Sequence, residues 1–227
     1  MEKIVISLGG SILVPGEDDG RFVRDLAGLL RDASRNRRIF GVTGGGRIAR
    51  YYIETGRKLG AAEETLDKFG IAATRLNARL LAVALRGIAN REPAATYAEA
   101  ARLARRHRVV LMGGTRPGHT TDRVSASLAR FVGATRIVNA TSVDGVYSSD
   151  PRKDPAARLL TRIGFEDLVR LAGGGHRRAG PNVVFDPVAA GILARDRIPL
   201  AVVHGRDLGA LGAAIRGEPF HGTLVSD

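Results

Sequence analysis

Three short glycine runs, Gly9-Gly10, Gly44-Gly45-Gly46 and Gly113-Gly114, each follow an apolar, β-branched stretch. Glycine in a strand-to-helix turn lets backbone N–H groups approach an anion with no Cβ in the way. The helix that follows adds about half a positive charge at its start. A single turn of this kind is commonly just a tight turn. Three of them point to a polyphosphate or to a pair of phosphorylated ligands. None fits the P-loop, which needs Gly-Lys followed by Ser or Thr. None fits GxGxxG with an acidic residue about twenty positions on, which disfavours an ordinary dinucleotide site.

Two polar clusters accompany the glycines. Thr115-Arg116-Pro117-Gly118-His119-Thr120-Thr121-Asp122 follows the third glycine run and offers hydroxyls, an imidazole, a guanidinium and free N–H groups. Asp122 stands where a helix opens and could simply cap it. The second cluster, from Asn139 to Pro151, contains Thr141, Ser142, Asp144-Gly145, Tyr147 and Asp150. Asp-Gly alone is a common turn; the whole string is too long for that reading.

The elements that must position these residues alternate. Lys3–Leu8, Ile39–Thr43, Val109–Met112, Arg136–Ala140 and Leu200–His204 read as strands. Helical spacing joins Phe22 to Leu30, Ile48 to Leu59, and Leu66 to about Arg86. It recurs over Val124–Phe131, Phe165–Leu171, Pro187–Ala194 and Leu208–Ile215. Such alternation predicts an α/β protein, a mainly parallel sheet covered on both faces, with ligands beyond the carboxyl ends of the strands. No linker, low-complexity segment or fixed-period repeat interrupts it, and 1–227 reads as one domain, with a weakly marked break near 132–136.

Composition narrows the function. The chain has 227 residues, 44% of them hydrophobic, and a mean hydropathy of −0.04, which is globular rather than disordered. There is no cysteine, so disulfides and Cys-ligated zinc are excluded, and five scattered histidines make no metal motif. The longest uncharged stretch, Ile4–Gly16, is 13 residues, short of the roughly 18 that a spanning helix needs. The N-terminus does not resemble a signal peptide, and a cytoplasmic protein without membrane contact is expected. The net charge of +12 is spread along the chain, aromatics are 5% and Trp is absent. Nucleic acid is therefore not expected as a partner.

In order along the chain, Ser7–Leu13, Gly44–Arg50, Asp67–Ile71, Thr74–Ala78, Gly113–Thr115, Pro117–Asp122, Val143–Tyr147, Asp150–Pro155 and Asp186–Ala190 resemble the archaeal type of uridylate (UMP) kinase, within the amino-acid kinase superfamily. The likeness spans essentially the entire chain, and Pro-Gly-His-Thr-Thr-Asp marks the subgroup. The resemblance implies a three-layer α/β/α sandwich, transfer of the γ-phosphoryl of ATP to UMP, Mg²⁺ carried with ATP rather than held by a protein metal site, and a homohexamer. It places Gly9, Gly10, Ser11, Gly46 and Arg50 on the ATP phosphates, and Thr141, Ser142, Tyr147 and Asp150 around the ATP nucleoside. Gly45, Asp67 and Thr115, Arg116, Pro117, Gly118, His119, Thr120 and Thr121 fall to UMP. Asp122 and Arg50 are the candidate catalytic residues. The N-terminal lobe then serves mainly UMP and the phosphates, the C-terminal lobe the ATP nucleoside.

Many superfamily members carry a Lys in the first strand, where Ser7 stands here; Arg50, Arg47 or Lys3 are candidates for the missing cation. The usual Asn of the nucleoside string is Ser142. A phosphate acceptor, with a second pKa near 6, is already an anion at neutral pH and needs cations and N–H donors rather than a base. His119, the one candidate base inside a motif, is read as orienting its loop or donating to UMP. Asp67 is placed to accept both ribose hydroxyls. Arg75 and Asn77 face either the site or a subunit interface, and Leu76, Leu80 and Val83 read as core or dimer interface. The rival functions are another small-molecule kinase of this fold, such as an isopentenyl phosphate kinase, and a non-catalytic nucleotide-binding protein.

Overall fold

The computed structural model describes residues 1–16, 19–149, 154–173 and 185–227. Its centre is a seven-stranded sheet of order β3-β2-β1-β4-β6-β7-β5. The strands are β1 (Glu2–Leu8), β2 (Arg37–Thr43), β3 (Val109–Met112), β4 (Arg136–Thr141), β5 (Arg162–Ile163), β6 (Leu200–His204) and β7 (Thr223–Val225). β1, β2, β3, β4 and β6 run parallel. β7 pairs antiparallel with β6, and β5 lies parallel to β7.

Alternation along these strands sends side chains to two cores. Val5, Phe40, Val42, Val110, Met112, Ile137 and Val202 face one side. They meet α5 (Tyr97–Leu103), α6 (Thr121–Val132), α7 (Phe165–Gly173) and α8 (Pro187–Asp196). Ile4, Ile6, Leu8, Ile39, Val109, Leu111, Val138 and Val203 face the other. They meet α1 (Gly10–Leu13), α2 (Asp19–Ala33), α4 (Glu63–Ala84) and α9 (Leu208–Arg216). α3 (Gly46–Lys58) packs along α4. Strands buried on both faces read as continuous apolar runs, as they do here, and the result is the expected three-layer α/β/α sandwich.

Local chemistry sets the helix boundaries. The side chains of Thr120, Asp186 and Asp207 accept the N–H three residues on and cap α6, α8 and α9. Pro187 occupies the first turn of α8, where its missing N–H costs nothing. α6 and α9 stop at Gly133 and Gly217, both left-handed.

Two expectations change. Leu76, Leu80 and Val83 are 53%, 43% and 64% exposed, so they belong to no core of this chain: they lie on the outward face of α4. Lys3 cannot serve the site. It lies at the start of β1, about 16 Å from the strand's carboxyl end at about 3.3 Å per residue, and its Nζ donates to Val132 O at 2.6 Å.

Candidate active site

All five parallel strands end on one edge. Chain order turns outward from β1 to β2 and β3 on one side, then to β4 and β6 on the other, so the switch point of the sheet falls between β1 and β4. Gly9 and Gly10 follow β1 at that point, and Gly9 N donates to Ala140 O of β4 at 2.9 Å. Gly44–Gly46 follow β2, and Gly44 N donates to Leu8 O at 2.8 Å. The first two turns touch backbone to backbone. A Cβ on Gly10 would lie 2.5 Å from Gly44 O and 2.6 Å from the Gly45 carbonyl carbon, and Gly46 adopts a φ of +60° against it. The two turns thus form one floor of N–H groups, with Gly45 at the N-cap of α3.

Cations line that floor. Arg50, one turn into α3, donates to Ser11 Oγ at 3.1 Å, and the guanidinium of Arg47 covers Gly16. Neither forms an ion pair among the described residues. Arg47, in the first turn of α3, opposes the helix dipole by about 0.3–1 kcal/mol, an arrangement that favours an incoming anion.

The third turn leads into the Pro-Gly-His-Thr-Thr loop. Together with Gly45, Ala49, Asp67, Gly70, Ile71 and Thr74, residues Gly114 and Arg116–Thr121 enclose a cleft of about 180 Å³. Asp67 Oδ2 accepts the Gly118 N–H at 2.8 Å across it. Thr115 Oγ1 and His119 Nδ1 are buried with no hydrogen-bond partner from the described residues. Burial, then the nearby Arg123 and Arg116, push the His119 imidazole below its ordinary pKa, so it is neutral at pH 7.

α4 supports both sides of this cleft. Asn77 Nδ2 donates to Gly44 O at 2.8 Å, Thr74 Oγ1 accepts the Gly114 N–H at 2.7 Å, and Arg75 donates to Gly114 O at 3.2 Å. Arg75 and Asn77 therefore hold the glycine turns in place. Their side chains were visible in the sequence, but partners more than thirty residues away were not.

Asp122 sits in the first turn of α6, half-buried as a residue with its carboxyl turned inward. Ser7 Oγ lies 3.4 Å from its Oδ1. Burial first, then the Asp186 carboxylate, raise the Asp122 carboxyl from 3.8 to about 6, against hydrogen bonds from the Asp186 N–H and Ser7. With Ser7 in place of a lysine, it has no ion-pair partner among the described residues. On the other lobe, Thr141 ends β4 and its carbonyl accepts the Gly205 N–H at 2.8 Å. Ser142 is exposed. Tyr147 donates to Asp144 Oδ2 at 3.1 Å; burial and that carboxylate raise the phenol's pKa. Thr223 of β7 pins this loop by accepting the Val146 N–H at 2.8 Å. Asp150 lies outside the described residues.

The two glycine turns lie at the switch point of the sheet, Arg47 and Arg50 beside them have no ion-pair partner among the described residues, and an open cleft adjoins them at Gly45. Phosphoryl transfer asks chiefly for such positioning and charge neutralisation, and the class this arrangement suits is a phosphotransferase. The model of the amino acid kinase family matches residues 2–204, and the chain belongs to that family. It is 45% identical over 227 residues to a uridylate kinase of Methanoculleus marisnigri, covering all of this chain and 97% of the relative. It is 42% identical to that of Archaeoglobus fulgidus over 99% of this chain and 100% of the relative. The crystal structure of uridylate kinase from Archaeoglobus fulgidus matches with a TM-score of 0.89 over both whole chains at 41% identity. A UMP kinase structure from Bacillus anthracis, at 21% identity and a TM-score of 0.80, shares the fold.

Proposed function

We propose that this protein transfers the γ-phosphoryl of ATP to UMP, giving UDP and ADP. The observation that carries the reading is the cleft between Asp67 and the 114–121 loop, which shares Gly45 with the glycine floor. A nucleoside monophosphate seated there, with its ribose on Asp67, points its phosphate at the floor. Gly9, Gly10, Ser11, Gly46 and Arg50 then take the ATP phosphates, and Thr141, Ser142 and Tyr147 its nucleoside.

The work of the protein is to hold two anions together. Unit like charges about 4 Å apart repel by about 4 kcal/mol at an effective dielectric near 20. The Gly10 and Gly46 turns, Arg50 and Arg47 offset that repulsion. The acceptor phosphate is already ionised, so no residue need take a proton; neutral His119 orients or donates. Mg²⁺ supplies further charge neutralisation when it arrives on ATP. Asp122, with its carboxyl turned inward beside Ser7 and no ion-pair partner among the described residues, is the residue that would face the ion.

The test is ADP release with UMP, CMP and isopentenyl phosphate as acceptors. UMP turnover at the highest kcat/KM is expected; preference for isopentenyl phosphate would overturn the reading. If Asp67 accepts both ribose hydroxyls, dUMP is used about 10–100-fold less well than UMP, the cost of a lost hydrogen bond to a charge. Equal kcat/KM for the two would remove Asp67 from the ribose.

The reading includes a homo-oligomer, a hexamer by resemblance, in which the exposed Leu76, Leu80 and Val83 of α4 are covered by another copy. Leu76→Glu with Leu80→Glu then lowers the sedimenting mass; an unchanged mass would place the interface elsewhere. No described helix is long and apolar enough to cross a membrane, and a cytoplasmic location is part of the same reading.

A further inference from the structure

Asp186 lies 66 residues beyond Thr120, at the start of α8. One of its oxygens, Oδ1, accepts the Ala189 N–H at 2.9 Å and caps the helix. The other, Oδ2, accepts the Thr120 hydroxyl at 2.8 Å. Thr120 Oγ1 at the same time accepts the Arg123 N–H at 3.1 Å. A hydroxyl has a single proton, so the incoming Arg123 N–H aims that proton at Asp186. The end of the 115–121 loop is thus tied between two helices that pack on each other.

Capping explains only half of this residue. Asn and Ser cap as well as Asp, and neither would set a carboxylate beside the buried Asp122. Two neighbouring carboxylates with no cation paired to either among the described residues destabilise each other. The charge at 186 is therefore kept at a cost, and what it adds is a charge-assisted bond to the loop. We propose that Asp186 is a positioning residue for phosphoryl transfer: through Thr120 it fixes the loop that presents the acceptor phosphate, and its loss lowers turnover rather than UMP affinity. The proposal rests on the UMP kinase reading above.

Asp186→Asn separates the two duties. Its remaining oxygen still caps α8, while its amide cannot accept the Thr120 proton and carries no charge. The variant is expected to fold with a Tm no lower than the parent and to bind UMP within about threefold. It loses about 10–100-fold in kcat, the usual worth of a hydrogen bond to a charged group. Its loop amides 115–121 exchange with deuterium faster than those of the parent. Asp186→Ala, which also removes the cap, lowers Tm but loses no more kcat than the Asn variant. Combined with Thr120→Val, the Asn change adds no further loss, because both act through one bond.

Parental kcat and parental loop exchange in Asp186→Asn, or a rise in UMP Kd matching the fall in kcat, would overturn the proposal. If the parent protein does not turn over UMP at all, the functional reading fails by itself. Loop exchange then still decides whether the tie exists: faster exchange in Asp186→Asn supports it and unchanged exchange sinks it.

Discussion

Alanine at position 10 abolishes UMP phosphorylation, by more than about 100-fold in kcat/KM, while far-ultraviolet circular dichroism stays that of the parent. The reason is steric and local. The added methyl would sit inside the backbone of Gly44, Gly45 and Gly46, where no side chain can swing aside. The turn after β1 and the turn after β2 must part, and the N–H groups proposed to cradle phosphate part with them. Misplacing such groups by about 1 Å costs about two orders of magnitude. Overpacking of this kind also costs about 1–3 kcal/mol, so Tm falls by a few degrees. Gly46→Ala fails for the reciprocal reason, since its Cβ would lie 2.6 Å from Gly10 O at a positive φ. A Gly10→Ala enzyme within tenfold of the parent would show that the floor does not touch phosphate.

Asp122→Asn moves stability and activity in opposite directions. The folded carboxyl titrates at about 6 against an ordinary 3.8, so the fold holds this proton more tightly than the unfolded chain does. Between those two values the group's contribution becomes less favourable as pH rises, and above about 6 the ionised carboxylate costs up to about 3 kcal/mol. Asn removes that cost: Tm at pH 7 rises by several degrees and the acid-side slope of stability from this site disappears. Turnover nevertheless falls, because the carboxyl that would face a nucleotide-borne cation is gone. kcat drops far more than UMP affinity, and of the parent's decline in kcat/KM as pH falls through about 6 the variant keeps only the share set by the second ionisation of UMP. An Asn variant with parental kcat, or one that loses kcat and UMP affinity equally, would argue against this role.

Much of this was legible in advance. The ends of β3 and β6 fall where the apolar runs stop, and each glycine run lands where a strand must turn, because both signals are local. The start of α5 carries a local signal as well: Thr96 and Glu99 have capping-box spacing, and Thr96 accepts the Glu99 N–H while the Glu99 side chain accepts the Ala95 N–H. β5 and β7, two and three residues long, carry too little pattern to stand out. Leu76, Leu80 and Val83 have the spacing of a buried stripe, yet periodicity does not say which chain covers it. The second oxygen of Asp186, and the grip of Asn77 and Arg75 on distant carbonyls, depend on pairs that meet only after the sheet has formed.

Those grips reach further than holding loops in place. Along one helix, α4, the carboxylate of Asp67, the hydroxyl of Thr74, the guanidinium of Arg75 and the amide of Asn77 seize the 114–121 loop, proposed to hold the acceptor, and the turn after β2, proposed to cradle the donor, together. When the helix drifts, both travel in step. On the proposed function, that shared displacement would hold the gap across which phosphorus must pass more nearly constant than two independent loops could.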